Sequence, residues 1–444
     1  MQQEVTFKRI HQLAIPAILA GIAEPLLSST DAAVIGNIDT LPVESLAAVG
    51  IVGSFLSMLI WVLGQTRSAI STILSQHLGA GALEDVKVLP AQAIFFNLVL
   101  ALIVLGTTYA FARQIFELLN ASGEVLRLSL DYYHIRVWGF PLTLFTFAVF
   151  GIFRGLQNTY WPMIIAITGA VVNIGLDFAL VYGVENIIPA MNIKGAAWAS
   201  LISQGLMALL SFILLLKKTS ISLKLVFPFH PEIKTLILMS LNLFLRTIAL
   251  NLALILAVRE ATALGDQYIA AHAIAINIWF FSAFFLDGYG AAGNILGGKL
   301  IGAKNYQALW ILAKRCVLYC LGMSLVLILL GVLFYEPLGL IFSKEAEVLA
   351  IFYGVFFMVL VTQPINAVAF TFDGIFKGLG KMKYLRNVLF ASTFLGFIPM
   401  LYLSKHQQWG LLGIWGAFVV WIFIRAFVST LKFRFTYLPL LKKQ

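Results

Sequence analysis

The sequence predicts an all-α integral membrane protein with twelve transmembrane helices in two pseudo-symmetric six-helix lobes. Three observations carry that expectation. The chain is 61% hydrophobic and only 11% charged, where soluble domains carry about 25% charged residues. Mostly apolar runs, each long enough to cross a hydrocarbon core of roughly 30 Å, recur from end to end. Short motifs also return at one offset. Gly151-Ile152-Phe153-Arg154-Gly155-Leu156 reappears as Gly374-Ile375-Phe376-Lys377-Gly378-Leu379, 223 residues on. Ala47-Ala48 pairs with Ala270-Ala271, and Gly79-Ala80 with Gly302-Ala303, at the same spacing. A half-length repeat in a membrane protein is the usual construction of a secondary transporter, with the substrate site between the copies.

The runs follow in order. The first, at about 10–36, carries Pro16, Glu24, Pro25 and Asp31, which suits a functional span better than the apolar stretch of a signal peptide. Runs two to six fall at about 46–77, 89–118, 126–153, 161–183 and 194–216. The longest polar break comes next, with Pro228 and Pro231 inside it. Residues 1–216 are therefore expected to form the N-terminal lobe, 217–233 a cytoplasmic linker, and 234–444 the C-terminal lobe. The second set lies at about 234–260, 267–298, 307–334, 347–376, 384–404 and 410–437. These runs are continuous rather than alternating apolar and polar, which argues against a β-barrel. Six is an even number, so both copies enter the membrane from the same side, related by an axis along the membrane normal.

The net charge of +10 reads as topology and not as a nucleic-acid partner. With both termini on one face, eighteen Lys and Arg fall on that face and six on the other. That bias puts both termini in the cytoplasm of a multi-pass inner (plasma) membrane protein, with some affinity for anionic lipid head groups. The chain is expected to work as a monomer in the lipid bilayer. Cys316 and Cys320 lie one helical turn apart and read as small apolar residues. The six histidines show no metal-ligand spacing. There is no Walker A pattern and no Gly-x-Ser-x-Gly elbow. No cofactor and no enzymatic activity are expected; a membrane-embedded acyltransferase would need a clustered His/Asp or Ser set that is not visible.

Ionisable groups inside spans are costly and are functional candidates by default. Asp31 stands in the outer part of the first span, fifteen residues after Pro16, a proline able to kink the helix and give it two shapes. Asn173 and Asp177 share one face of the fifth span. At 1.5 Å per residue, Asp177 sits about 24 Å and Asp31 about 30 Å from the cytoplasmic side, close enough to share a pocket. Two acids in one low-dielectric pocket make a group that loads and releases a proton near neutral pH. Sodium at Asp31, Asn173 and Asp177 is the alternative coupling ion. In the second lobe, Asp287 and Arg246 are candidates for a substrate or coupling role, and Asp373 is spaced to pair with Lys377. Arg67, Arg136 and Arg425 also fall within spans, without assignable partners, and Glu24 belongs either to the first-lobe network or to the lobe interface.

Together these features resemble the multidrug and toxic compound extrusion (MATE) family. The resemblance rests on the two six-span lobes, the Ser28-to-Gly36 segment with Asp31, Asn173 with Asp177, and Gly151 to Asn158. Phe285-Leu286-Asp287-Gly288-Tyr289-Gly290-Ala291-Ala292 and Phe372-Asp373-Gly374-Ile375-Phe376-Lys377-Gly378 are similar to patterns of its DinF-like branch. The resemblance implies a V-shaped transporter exchanging organic cations or other amphiphiles against inward proton or sodium flow. It also implies a cation site at Asp31, Asn173 and Asp177, a hydroxyl partner at Ser200, and a bend at Pro16. Two departures stand out. Ala32 follows Asp31 where a threonine is commoner, and Arg246 and apolar neighbours occupy the stretch where NorM-like relatives carry a glutamate. A second-lobe sodium site of that kind is therefore not expected. The expected function is a secondary multidrug efflux antiporter, with a lipid-linked oligosaccharide flippase of the same superfamily as alternative; such flippases usually have about fourteen spans.

Overall fold

A computed structural model describes residues 5–38 and 41–441, with backbone alone over 24–29. Glu24, Pro25, Ser28 and Ser29 therefore lie outside the described side chains.

The first half of the chain runs through α1 (Phe7–Ile35), α2 (Pro42–Leu63), α3 (Thr66–Ala80), α4 (Leu89–Ala110), α5 (Ala112–Leu118), α6 (Gly123–Arg136), α7 (Gly139–Gly155), α8 (Tyr160–Val181) and α9 (Asn192–Lys218). The second half runs through α10 (Glu232–Leu264), α11 (Asp266–Gly302), α12 (Tyr306–Leu333), α13 (Tyr335–Phe342), α14 (Ala346–Gly378), α15 (Met382–Ala391), α16 (Ile398–His406) and α17 (Gly410–Leu441). A π-helical turn, Ser392–Phe397, joins α15 to α16. Among the described residues, ten helical stretches are long and apolar enough to span a membrane, and α6 with α7, bent by 47°, makes an eleventh. Each coincides with one expected span, and α1 occupies the place of the first.

The repeat is visible in the backbone. The short helices α5 and α13 each follow the third span of their half. Left-handed turns recur at the same offset: Gly81 (φ 70°) and Lys304 (φ 54°), Gln157 (φ 64°) and Gly380 (φ 72°). Lysine and glutamine adopt φ values that favour glycine, so the turn is retained where its usual residue is not. Ala48 and Ala271 are both fully buried.

By packing, the chain divides into two units that are not simply its two halves. One holds Met1–Ile18, Ser75–Gly81 and Leu241–Gln444; the other holds Leu19–Leu74 and Ala82–Ser240. The divisions fall inside α1, α3 and α10. In the first unit, the core gathers Trp415, Phe418, Trp421, Phe352, Phe356 and Phe397. In the second, Ile70, Leu74, Val149 and Phe153 pack α3 against α7.

Candidate functional site

α8 is mostly apolar, and Asn173 and Asp177 lie one helical turn apart on the same face of it. That face meets the C-terminal part of α1 and the start of α9. Asn173 Nδ2 donates to Asp177 Oδ2 at 2.6 Å and to Asp31 Oδ1 at 3.2 Å. Ser200 Oγ of α9 donates to Asp31 Oδ2 at 3.5 Å. Asp31 is 6%, Asn173 4%, Asp177 0% and Ser200 2% exposed. One amide thus spends both its hydrogens on two carboxylates. Asp177 Oδ1 is buried and accepts no hydrogen bond. A desolvated carboxylate oxygen without a donor is costly, and a proton or small hard cation on that oxygen removes the cost.

Two neighbours of this site were not assigned from sequence. Arg136 of α6, its guanidinium 5.9 Å from the Tyr132 ring, acts electrostatically on Asp177. Its charge inside an apolar run was the available signal; its partner depends on how α6 lies against α8. Tyr182, just past α8, donates its hydroxyl to the Val34 carbonyl at 2.8 Å. A cavity of about 330 Å³, lined by Thr30, Ala33, Val34, Asn37, Phe178 and Tyr182, lies directly beside Asp31 and Asp177 in the chain. Pro16 lies inside the unbroken helix α1, and the packing allegiance of that helix changes two residues later, after Ile18.

The second-lobe candidates divide. Arg246 of α10 pairs with Asp373 of α14, and Arg425 of α17 reaches the same carboxylate oxygen at 3.5 Å. Asp373 is therefore tied to two arginines from other helices, in addition to the lysine that the sequence spaces one turn along α14. Asp287 is exposed on α11, and no hydrogen bond or ion pair joins it to Arg246 or Asp373. Arg67 lies over the Phe147 ring at 5.1 Å. Cys316 and Cys320 are free and buried. Among the described residues, no three His, Cys, Asp or Glu side chains cluster at metal-binding distance.

A duplicated bundle of apolar helices with a buried acid–amide network inside one repeat is the build of a multi-pass secondary transporter. The MatE family model matches residues 16–179 and again 236–403, one copy in each half. The chain belongs to the multidrug and toxic compound extrusion family. It is 30% identical to Protein DETOXIFICATION 43 of Arabidopsis thaliana over 66% of this chain and 54% of that one, so that alignment spans about half of the plant protein's length. It is 26% identical to DNA damage-inducible protein F of Escherichia coli, covering 90% of this chain and 88% of the other. It is also 25% identical to multidrug resistance protein NorM of Vibrio vulnificus, covering 92% and 91%. The fold matches that of the Vibrio cholerae MATE transporter VcmN in its bent form, with a TM-score of 0.87, 20% identity and 96% of each chain covered.

Proposed function

We propose that this chain is an efflux antiporter that exports organic cations or amphiphilic compounds in exchange for protons, with Asp31, Asn173, Asp177 and Ser200 as the coupling site. The observation that carries the reading is the amide-bridged pair of buried carboxylates with Asp177 Oδ1 left without a donor. A proton needs only that one open oxygen, whereas sodium would draw on several oxygens of the same set; this favours the proton. Loading the pair neutralises it and weakens the attraction of Asp31 for the amide. The outer part of α1 is then free to bend about Pro16 and close the space that substrate occupied. Because a ligand shifts a conformational equilibrium only by its differential affinity, proton and substrate compete for one state. The excess of Lys and Arg on one face supports cytoplasmic termini.

The test is ethidium efflux from proteoliposomes under proton and sodium gradients imposed separately. Wild type should respond to the proton gradient, and Asp31→Asn should be folded and inactive. Full activity of Asp31→Asn would sink the coupling assignment. A response to sodium alone would replace the proton by sodium at the same residues. No dye movement under either gradient would remove the efflux reading and favour the flippase alternative.

A further inference from the structure

The second lobe carries a buried ionic cluster that coupling does not use. Arg246, Asp373 and Arg425 meet at one carboxylate oxygen, with side chains 7%, 13% and 4% exposed. Lys377 lies one helical turn from Asp373 on α14. Three cations therefore gather about one carboxylate inside an apolar lobe. Arg246 Nε is buried without an acceptor. Along the same face of α14, seven and ten residues back from Asp373, stand Asn366 and Gln363, which are 0% and 1% exposed. Both amide atoms of Asn366, and Oε1 of Gln363, lack hydrogen-bond partners.

The repeat provides an internal control. Subtracting 223 from 246, 373 and 425 gives Ala23, Phe150 and Ile202. Ala23 and Phe150 belong to one apolar cluster. The shared scaffold is therefore built without charge at these positions, so the fold itself does not require the second-lobe cluster. Burying ions is unfavourable unless they are fully paired, and here the positive charge is in excess.

We infer that the Arg246–Asp373–Arg425 cluster is a second-lobe subsite for the carboxylate of an exported organic substrate, whose body lies along Asn366 and Gln363. Guanidinium forks match carboxylate geometry, and an incoming acid balances the excess charge. Asp373 holds the two arginines in place and competes with the ligand for them. Seven residues of helix span about 10 Å, the reach of a small aromatic or aliphatic acid. This inference rests on the efflux reading above for its substrate, but its test is a binding measurement and not transport.

The full chain is purified in detergent and titrated with radiolabelled benzoate, using benzamide as the neutral competitor. Wild type should bind benzoate saturably, without competition by benzamide. Arg425→Gln should weaken binding at least tenfold. Asp373→Asn, which removes the internal competitor, should tighten it several-fold, whereas a merely structural ion pair predicts no gain. Trp421, 4.9 Å from the Arg425 guanidinium, should report benzoate by a change in emission that is lost in Trp421→Phe. Absence of saturable binding, equal competition by benzamide, unchanged affinity in Arg425→Gln, or weaker binding in Asp373→Asn each overturns the subsite. If either charge variant does not fold, the benzamide and Trp421 arms decide alone. Ethidium efflux without benzoate binding refutes this inference and leaves the efflux reading intact; Trp421-linked benzoate binding without efflux does the reverse.

Discussion

At the scale of single residues, Asn173 is the keystone of the first-lobe site. Its amide donates to both carboxylates. Asn173→Ala should leave two buried acids facing each other, lower ethidium/proton exchange by at least about tenfold, and destabilise the protein by roughly 1–3 kcal/mol; thermal unfolding with and without acidification reads the second effect. Acidification should restore part of that stability, because the protonated pair needs no bridging donor. Tyr182 acts at one remove. Tyr182→Phe removes only the hydroxyl bond to Val34, about 0.5–1.5 kcal/mol, and should speed proton release from the site without moving substrate affinity. Stopped-flow proton release in proteoliposomes checks it, and an unchanged rate would make that bond purely structural. Asp31, Asn173 and Asp177 were all legible in the sequence, since charge and amide inside apolar runs announce themselves. Tyr182 and Arg136 were not, because a tyrosine at a helix end is ordinary and the partner of a lone arginine is set by packing.

At the scale of elements, the repeated motif is a helix-crossing device. A Cβ on Gly151 would stand 2.7 Å from the Arg67 carbonyl oxygen, and one on Gly155 2.6 Å from Leu74 Cβ. In the second copy, Cβ atoms on Gly374 and Gly378 would overlap the backbones of Gly290 and Asn294. Small residues four apart let helices approach closely in a membrane, where lipid provides no hydrophobic drive between them. The ends of α3 and α11 show the same economy reciprocally: a Cβ on Gly79 would overlap the Lys299 carbonyl, and one on Gly302 that of Gln76. Adding 223 to 76 and 79 gives 299 and 302, so this is one contact made twice. Gly374→Ala should therefore cost about 1–3 kcal/mol by overpacking, visible as lost thermal stability of the purified protein. Gly175→Ala, where nothing lies within 4 Å, should be neutral or stabilising by up to about 1 kcal/mol. Equal effects at the two positions would refute the close-crossing account. In α1, Pro16→Ala should leave the fold intact and slow exchange, since the helix loses its built-in bending point.

For the molecule as a whole, the two repeats have divided the polar chemistry between them. The offset carries Asn173 to Gly396, inside the π-helical turn Ser392–Phe397, where the apolar side chains of Ile424 and Val420 pack against the glycine. In return it carries the ionic cluster of the second lobe onto the apolar Ala23 and Phe150. At these positions each lobe is apolar where the other is charged, whereas Lys377 keeps a charged counterpart in Arg154. The expectation that follows is separability: charge-neutralising changes at Asp31 or Asp177 should abolish ion coupling, while changes at Arg425 should alter which substrates are accepted. Transport of several dyes by both variant sets, at fixed proton gradient, tests this. Identical loss across all dyes in both sets would mean that the sites act as one.

The sequence by itself determined the membrane environment, the duplicated helical plan and the acidic pair, because apolar run length, repeated glycines and charges inside spans act locally or at a fixed spacing. Only the tertiary structure decided who pairs with whom. Asp373 has a lysine one turn away, yet it is bound by arginines 127 residues before it and 52 after it. A span in sequence shows what it must hide from lipid, but the direction in which each helix turns its polar face is settled by the neighbours it packs against.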